Sequence, residues 1–150
     1  GLDSYLAGAS TETMLRESTE YDKRWGFPWE FYYPIVNFAK QNQLPVIALN
    51  TPAEVTRKVA RQGLESLSAG EKRYIPPIDE IRLEPERYRD RLQKIFAAHA
   101  GKGSSRWFNS FFQAQVLWDE TMADAIVQFL QKNPDRQIVV LAGQGHIIYG

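Results

Sequence analysis

The chain has 150 residues, 43% apolar and 13% aromatic, with 18 basic and 18 acidic side chains and no cysteine. That length and apolar content suit one domain with a real core and exclude a disordered chain. The balanced charge argues against a nucleic-acid binder, and the lack of cysteine excludes disulfides, thiolate metal sites and a cysteine nucleophile.

In chain order, Leu2 to Ala7 reads as the tail of a helix stopped by Gly8, and Ser10 or Thr11 as the cap of a short helix reaching about Ser18. An aromatic-dense loop follows, with Tyr21, Trp25, Phe27, Trp29, Phe31, Tyr32 and Tyr33 in 13 residues. Such a loop packs on a core, forms an interface, or meets a flat aromatic ligand such as a porphyrin. A helix from about Pro34 to Gln41 begins with a proline, whose missing N–H costs nothing in the first turn.

"LPVIALN", residues 44–50, is a short, continuous, partly β-branched apolar run, which predicts a strand buried on both faces. "TPAE" predicts a helix start with Thr51 as N-cap, Pro52 at the first position and Glu54 completing a capping box; Gly63 ends that helix. A second capping box at Ser68 and Glu71 marks another short helix. Residues 85–99 predict a helix with Tyr88, Leu92, Ile95 and Phe96 on its apolar stripe; His99 at its end caps carbonyls there. A long helix runs from about Ser105 to Lys132 and stops at Asn133-Pro134, before a second buried run, "QIVVLAG".

Two buried strands separated by helices predict an α/β fold: a parallel central sheet flanked by helices, with a helical insertion between the two recognisable strands. Two strands do not make a stable sheet, so the expectation is one incomplete domain over residues 1–150, its further strands N-terminal to Gly1 or in a partner chain. The chain opens on Gly1 rather than Met, as a processed or shortened chain does. No signal peptide is visible, and no apolar run approaches the roughly 20 residues of a membrane helix.

At about 100° per residue, Trp107, Phe108, Phe111, Phe112, Trp118, Met122, Ile126 and Phe129 fall on one arc of the long helix. Gln115 and Asp119 lie inside that arc, whereas Glu120, Asp124, Gln128 and Gln131 lie on the polar side. An inward carboxylate needs a partner. Asp119 therefore either makes a structural bond to an arginine or a backbone N–H, or lines a polar pocket with Gln115.

Ligands of open α/β sheets bind at the carboxyl ends of strands. Asn50 and the turn Gly143-Gln144-Gly145-His146 occupy such ends. Gly143 and Gly145 would let the backbone turn tightly, and the His146 imidazole there is either a metal ligand or proton carrier, or a turn histidine bonded to a carbonyl. Asn50, Gln115, Asp119 and His146 are expected to converge. Asp119 lies about 20 Å back along its helix from Lys132, and residues 137–142 advance about 17 Å, so Asp119 comes level with His146.

The segments "RWGFPWEFYYPIVNFAKQNQLPVIALNTPAEVTRKVARQGLESLS", "QAQVLWDETMA" and "VVLAGQGHIIYG" together resemble the ChaN-like family of iron-regulated, haem-binding uptake proteins, related to the Tiki and erythromycin-esterase superfamily. The resemblance implies an α/β fold, haem or iron as ligand, and a role in bacterial haem or iron uptake, often as a membrane-associated or periplasmic lipoprotein. It aligns Gly143 to His146 with the second of two Gly-x-x-His motifs, Asp119 and Glu120 with the family's acidic stretch, and Asn50 with a strand-end asparagine. The family's N-terminal Gly-Glu-x-His motif has no counterpart here. The ligand-pocket candidates are Asn50, Gln115, Asp119, Glu120, Gly143 and Gly145, with His146 as the metal ligand. The alternatives to a haem protein are a divalent-metal hydrolase and a non-catalytic interaction domain, and a homodimer is a further expectation.

Overall fold

The computed structural model describes residues 1–83, 86–100 and 105–147, apart from the side chains of residues 99, 100, 105 and 106. The chain divides into two compact units, Gly1–Ala48 and Leu49–Gly150.

In the first unit, α1 (Leu2–Leu6) ends just before Gly8, whose φ of +76° is a left-handed turn that glycine adopts without strain. Helix α2 (Glu12–Ser18) is capped by Thr11, whose hydroxyl accepts from the Met14 N–H at 3.2 Å. A one-turn helix, α3 (Tyr21–Arg24), leads through the aromatic loop to α4 (Tyr33–Gln41), which carries Pro34 in its first turn. Tyr5, Leu15 and Trp29 form a small core, with Tyr21 edge-on to Trp29 at 5.0 Å. Trp29, with the half-buried Tyr21 and Tyr32, thus packs inward, while Trp25, Phe27, Phe31 and Tyr33 stay exposed.

The second unit is organised by two helices, α5 (Ala53–Gln62) and the 28-residue α8 (Ser105–Lys132), which form the most extensive helix pairing in the chain. Between them come α6 (Ala69–Lys72), opened by the Ser68–Glu71 capping box, and α7 (Glu86–Ala100), which also packs on α8. Val55 and Val59 of α5, Tyr88 and Leu92 of α7, and Phe108, Phe112 and Leu117 of α8 share one core. Because α8 has neighbours on more than one side, its buried residues do not form the single arc that periodicity predicts. Ala114, Val116 and Thr121 are buried, while Trp107, on the predicted arc, is 69% exposed. Gly63 ends α5 as expected, and the Leu64 N–H beside it donates to Gln113 Oε1 of α8 at 2.9 Å. Thr51 does not cap α5: the N-cap is Pro52, and the buried Thr51 hydroxyl has no hydrogen-bond partner among the described residues.

The expected α/β architecture is overturned. Every regular element among the described residues is a helix, with no strand and no sheet. A strand exists only as part of a hydrogen-bonded ladder. Among the described residues, no backbone hydrogen bond joins residues 45–50 or 137–142 to another strand. Both runs are irregular chain outside any helix or strand, and Val139 is 86% and Leu141 62% exposed, so the apolar composition that suggested burial has no layer to bury against. Helices escape this requirement because each closes its own hydrogen bonds. A last turn of helix, α9 (Gln144–Ile147), carries His146 where a glycine turn was expected.

Candidate functional site

The site lies within the second unit and is built outward from Asp119 on α8. Tyr88 of α7 donates its hydroxyl to Asp119 Oδ2 at 2.6 Å. On the other oxygen, Oδ1 lies 2.5 Å from His146 Nδ1. For a neutral ring beside an ionised carboxylate, which only accepts, the bond puts the proton on Nδ1 and leaves Nε2 as the lone-pair nitrogen. The Asp119 and His146 side chains are 19% and 21% exposed, which shields the pair yet leaves it reachable.

Trp118, the neighbour of Asp119, closes one wall. Its ring lies 5.1 Å from the imidazole at 60°, and its Nε1–H donates to Asn50 Oδ1 at 2.9 Å. The His146 backbone N–H bonds the Gly143 carbonyl at 2.9 Å, closing the α9 turn. A β-carbon on Gly143 would sit 3.6 Å from His146 Cδ2, an ordinary contact, and one on Gly145 would meet open space, so neither glycine is required by crowding.

Burial pushes the Tyr88 phenol above its ordinary pKa of 10.0, and the bond to Asp119 adds to the effect. Tyr88 therefore remains a neutral donor across the physiological range. Tyr88, Asp119 and His146 form a relay in which a buried donor holds a carboxylate and the carboxylate holds an imidazole.

Of the residues singled out in the sequence, the structure brings Asn50, Asp119 and His146 together. Gln115 is half-buried one turn earlier, without a hydrogen bond to Asp119 or His146. Asp119 and Glu120 are both half-buried; they differ in what they face. Glu120 lines an open groove of about 580 Å³ with Asp79, Glu80, Arg82 and Asp124. The His99 side chain lies outside the described part. Periodicity places Tyr88 and Trp118 in the apolar core alone, although buried Tyr and Trp usually place their polar atom on a partner. That rule, joined to the partner an inward Asp119 needs, was the available signal.

A residue set for a divalent ion does not form: among the described residues, no three His, Cys, Asp or Glu side chains are placed to hold a metal ion. One carboxylate-oriented imidazole, whose Nε2 has no hydrogen-bond partner among the described residues, would instead fit a group that brings its other metal ligands with it.

Residues 1–150 match the family described as haem-binding uptake, Tiki superfamily, ChaN. The chain belongs to this family. It is also 28% identical over 128 residues to Protein RETICULATA-RELATED 5, chloroplastic, of Arabidopsis thaliana, an alignment covering 81% of this chain and 17% of that protein. The chain thus spans about a sixth of that relative's length. No solved structure matches the chain. The bacterial, iron-regulated lipoprotein setting implied by the sequence resemblance gains no support, since this relative is a plant protein. No described helix is long and apolar enough to cross a membrane.

Proposed function

We propose that the chain binds haem, whose iron His146 Nε2 would hold, and serves in haem handling. The observation that carries this reading is the 2.5 Å contact between His146 Nδ1 and Asp119 Oδ1. A carboxylate on the far ring nitrogen fixes the tautomer, aims the lone pair and raises the basicity of the ligand, as outer partners of metal-bound histidine do. Trp118 offers an aromatic face beside the ring. Val139, Leu141 and Ile147, all more than half exposed and within eight residues of His146, supply apolar surface for a flat, largely apolar ligand. Haem when bound would supply the iron and its redox chemistry. The protein supplies the nitrogen, its orientation and partial exclusion of water.

Titration of the purified chain with hemin tests this. The wild type should develop a Soret band that saturates at one hemin per chain. His146→Ala should weaken binding at least tenfold, the lower bound of what losing even an outer partner costs a metal site. A His146→Ala titration indistinguishable from wild type would refute the assignment.

A further inference from the structure

We infer that Tyr88 is a positioning residue for His146, acting through Asp119 to hold the imidazole in its Nδ1–H tautomer. The three residues sit on elements of unequal rigidity. Tyr88 is on the 15-residue α7, 7% exposed, with its ring 6.2 Å from Phe112, so its hydroxyl is fixed by core packing. Asp119 lies deep within α8. His146, in contrast, is on the four-residue α9, which follows an irregular segment that joins no strand ladder among the described residues. The short element gains its orientation from the long ones.

The carboxylate is the adjustable part. A carboxylate end turns easily about its last torsion, which has broad, roughly two-fold preferences. With Tyr88 on Oδ2 and His146 on Oδ1, both oxygens are committed and the plane is set. Without the Tyr88 hydroxyl, the carboxylate can rotate, and the imidazole loses the acceptor that favours a proton on Nδ1. The ring would then sample the Nε2–H tautomer, in which the outward nitrogen has no lone pair to offer. This tautomer claim stands on the geometry alone; its consequence for hemin rests on the role proposed for His146.

The test is long-range ¹H–¹⁵N correlation of the histidine rings in the ligand-free chain, at a pH where the imidazole is neutral, with His146→Ala to assign the signals. Wild type should show mainly the Nδ1–H pattern. Tyr88→Phe keeps the ring and its packing, and should raise the Nε2–H share of His146 severalfold. An unchanged tautomer pattern in Tyr88→Phe overturns the inference. As a second measurement that retains the hydroxyl, 3-fluorotyrosine at position 88 makes the donor stronger and should shift the His146 Nδ1 proton resonance; no shift likewise overturns it. Hemin affinity should fall on the order of threefold to tenfold in Tyr88→Phe, below the roughly 10- to 100-fold of a direct outer partner because Tyr88 acts one bond further away. If His146→Ala binds hemin as wild type does while Tyr88→Phe moves the tautomer, the haem reading fails and the positioning role stands. The opposite pair of results removes the positioning role and keeps the haem reading.

Discussion

Replacing Leu117 and Leu141 separately by alanine contrasts the core of α8 with a run whose composition alone suggests burial. Leu117 has no solvent exposure and belongs to the core shared by α5, α7 and α8. Truncation to alanine removes three carbons, about 2.4 kcal/mol at about 0.8 per buried CH₂. The cavity left in a helix pairing that cannot fully collapse adds more, so Leu117→Ala should cost about 3–4 kcal/mol. Against a total stability of roughly 5–15 kcal/mol that is a large fraction, and it should lower the melting temperature by roughly 10 °C. Leu141 is 62% exposed, so Leu141→Ala should cost no more than about 0.5 kcal/mol. Urea titration followed by helical circular dichroism reads both, as a shift of midpoint at constant slope. Equal losses for the two variants would refute the reasoning, since they would require residues 138–142 to be buried as deeply as the helical core.

Two further outcomes follow from single contacts. Glu71 accepts from Lys58 Nζ at 2.7 Å and from the Ser68 hydroxyl and N–H, and these bonds, the lysine's foremost, hold its carboxyl down from the usual 4.5 to about 2. A depressed folded pKa stabilises the fold above the unfolded value, so this contribution should be complete above pH 4.5 and vanish as pH falls toward 2. In urea titrations the gap between wild type and Glu71→Gln should close across that window; a gap independent of pH would contradict it. Gly63 has φ +84° and ψ 167°, a region essentially reserved for glycine, and an added β-carbon would sit 3.0 Å from Gln113 Oε1. Gly63→Ala should therefore cost about 1–3 kcal/mol, whereas Gly70→Ala, in open space within α6, should gain up to about 1 kcal/mol by the same assay.

Part of the site was legible because one side chain's need can be read without knowing its partner. The expectation that Asp119 turns inward and requires a donor came from helical phase. Asp119 and His146 meet as expected, although the sheet on which that expectation was built is absent among the described residues. The identity of the donor was not legible. Tyr88 lies 31 residues from Asp119, and nothing local distinguishes a tyrosine that packs from one that packs and also donates. Glu120, next to Asp119 in sequence, lines the groove it shares with Asp79, Glu80, Arg82 and Asp124, a placement that helical phase alone does not specify.

Local signals settle what the backbone can satisfy by itself. The Ser68–Glu71 capping box, the Thr11 cap, Pro34 in the first turn of α4, Gly63 after α5 and the span of α8 all follow from interactions within a few residues, and all are present in the structure. Strand formation and cap choice at Thr51 depend on partners far along the chain. Two apolar β-branched runs carry a preference for a sheet, but a preference is realised only where another backbone offers its N–H and C=O groups. Among the described residues none does, and only the tertiary structure could decide that they remain irregular chain rather than strands.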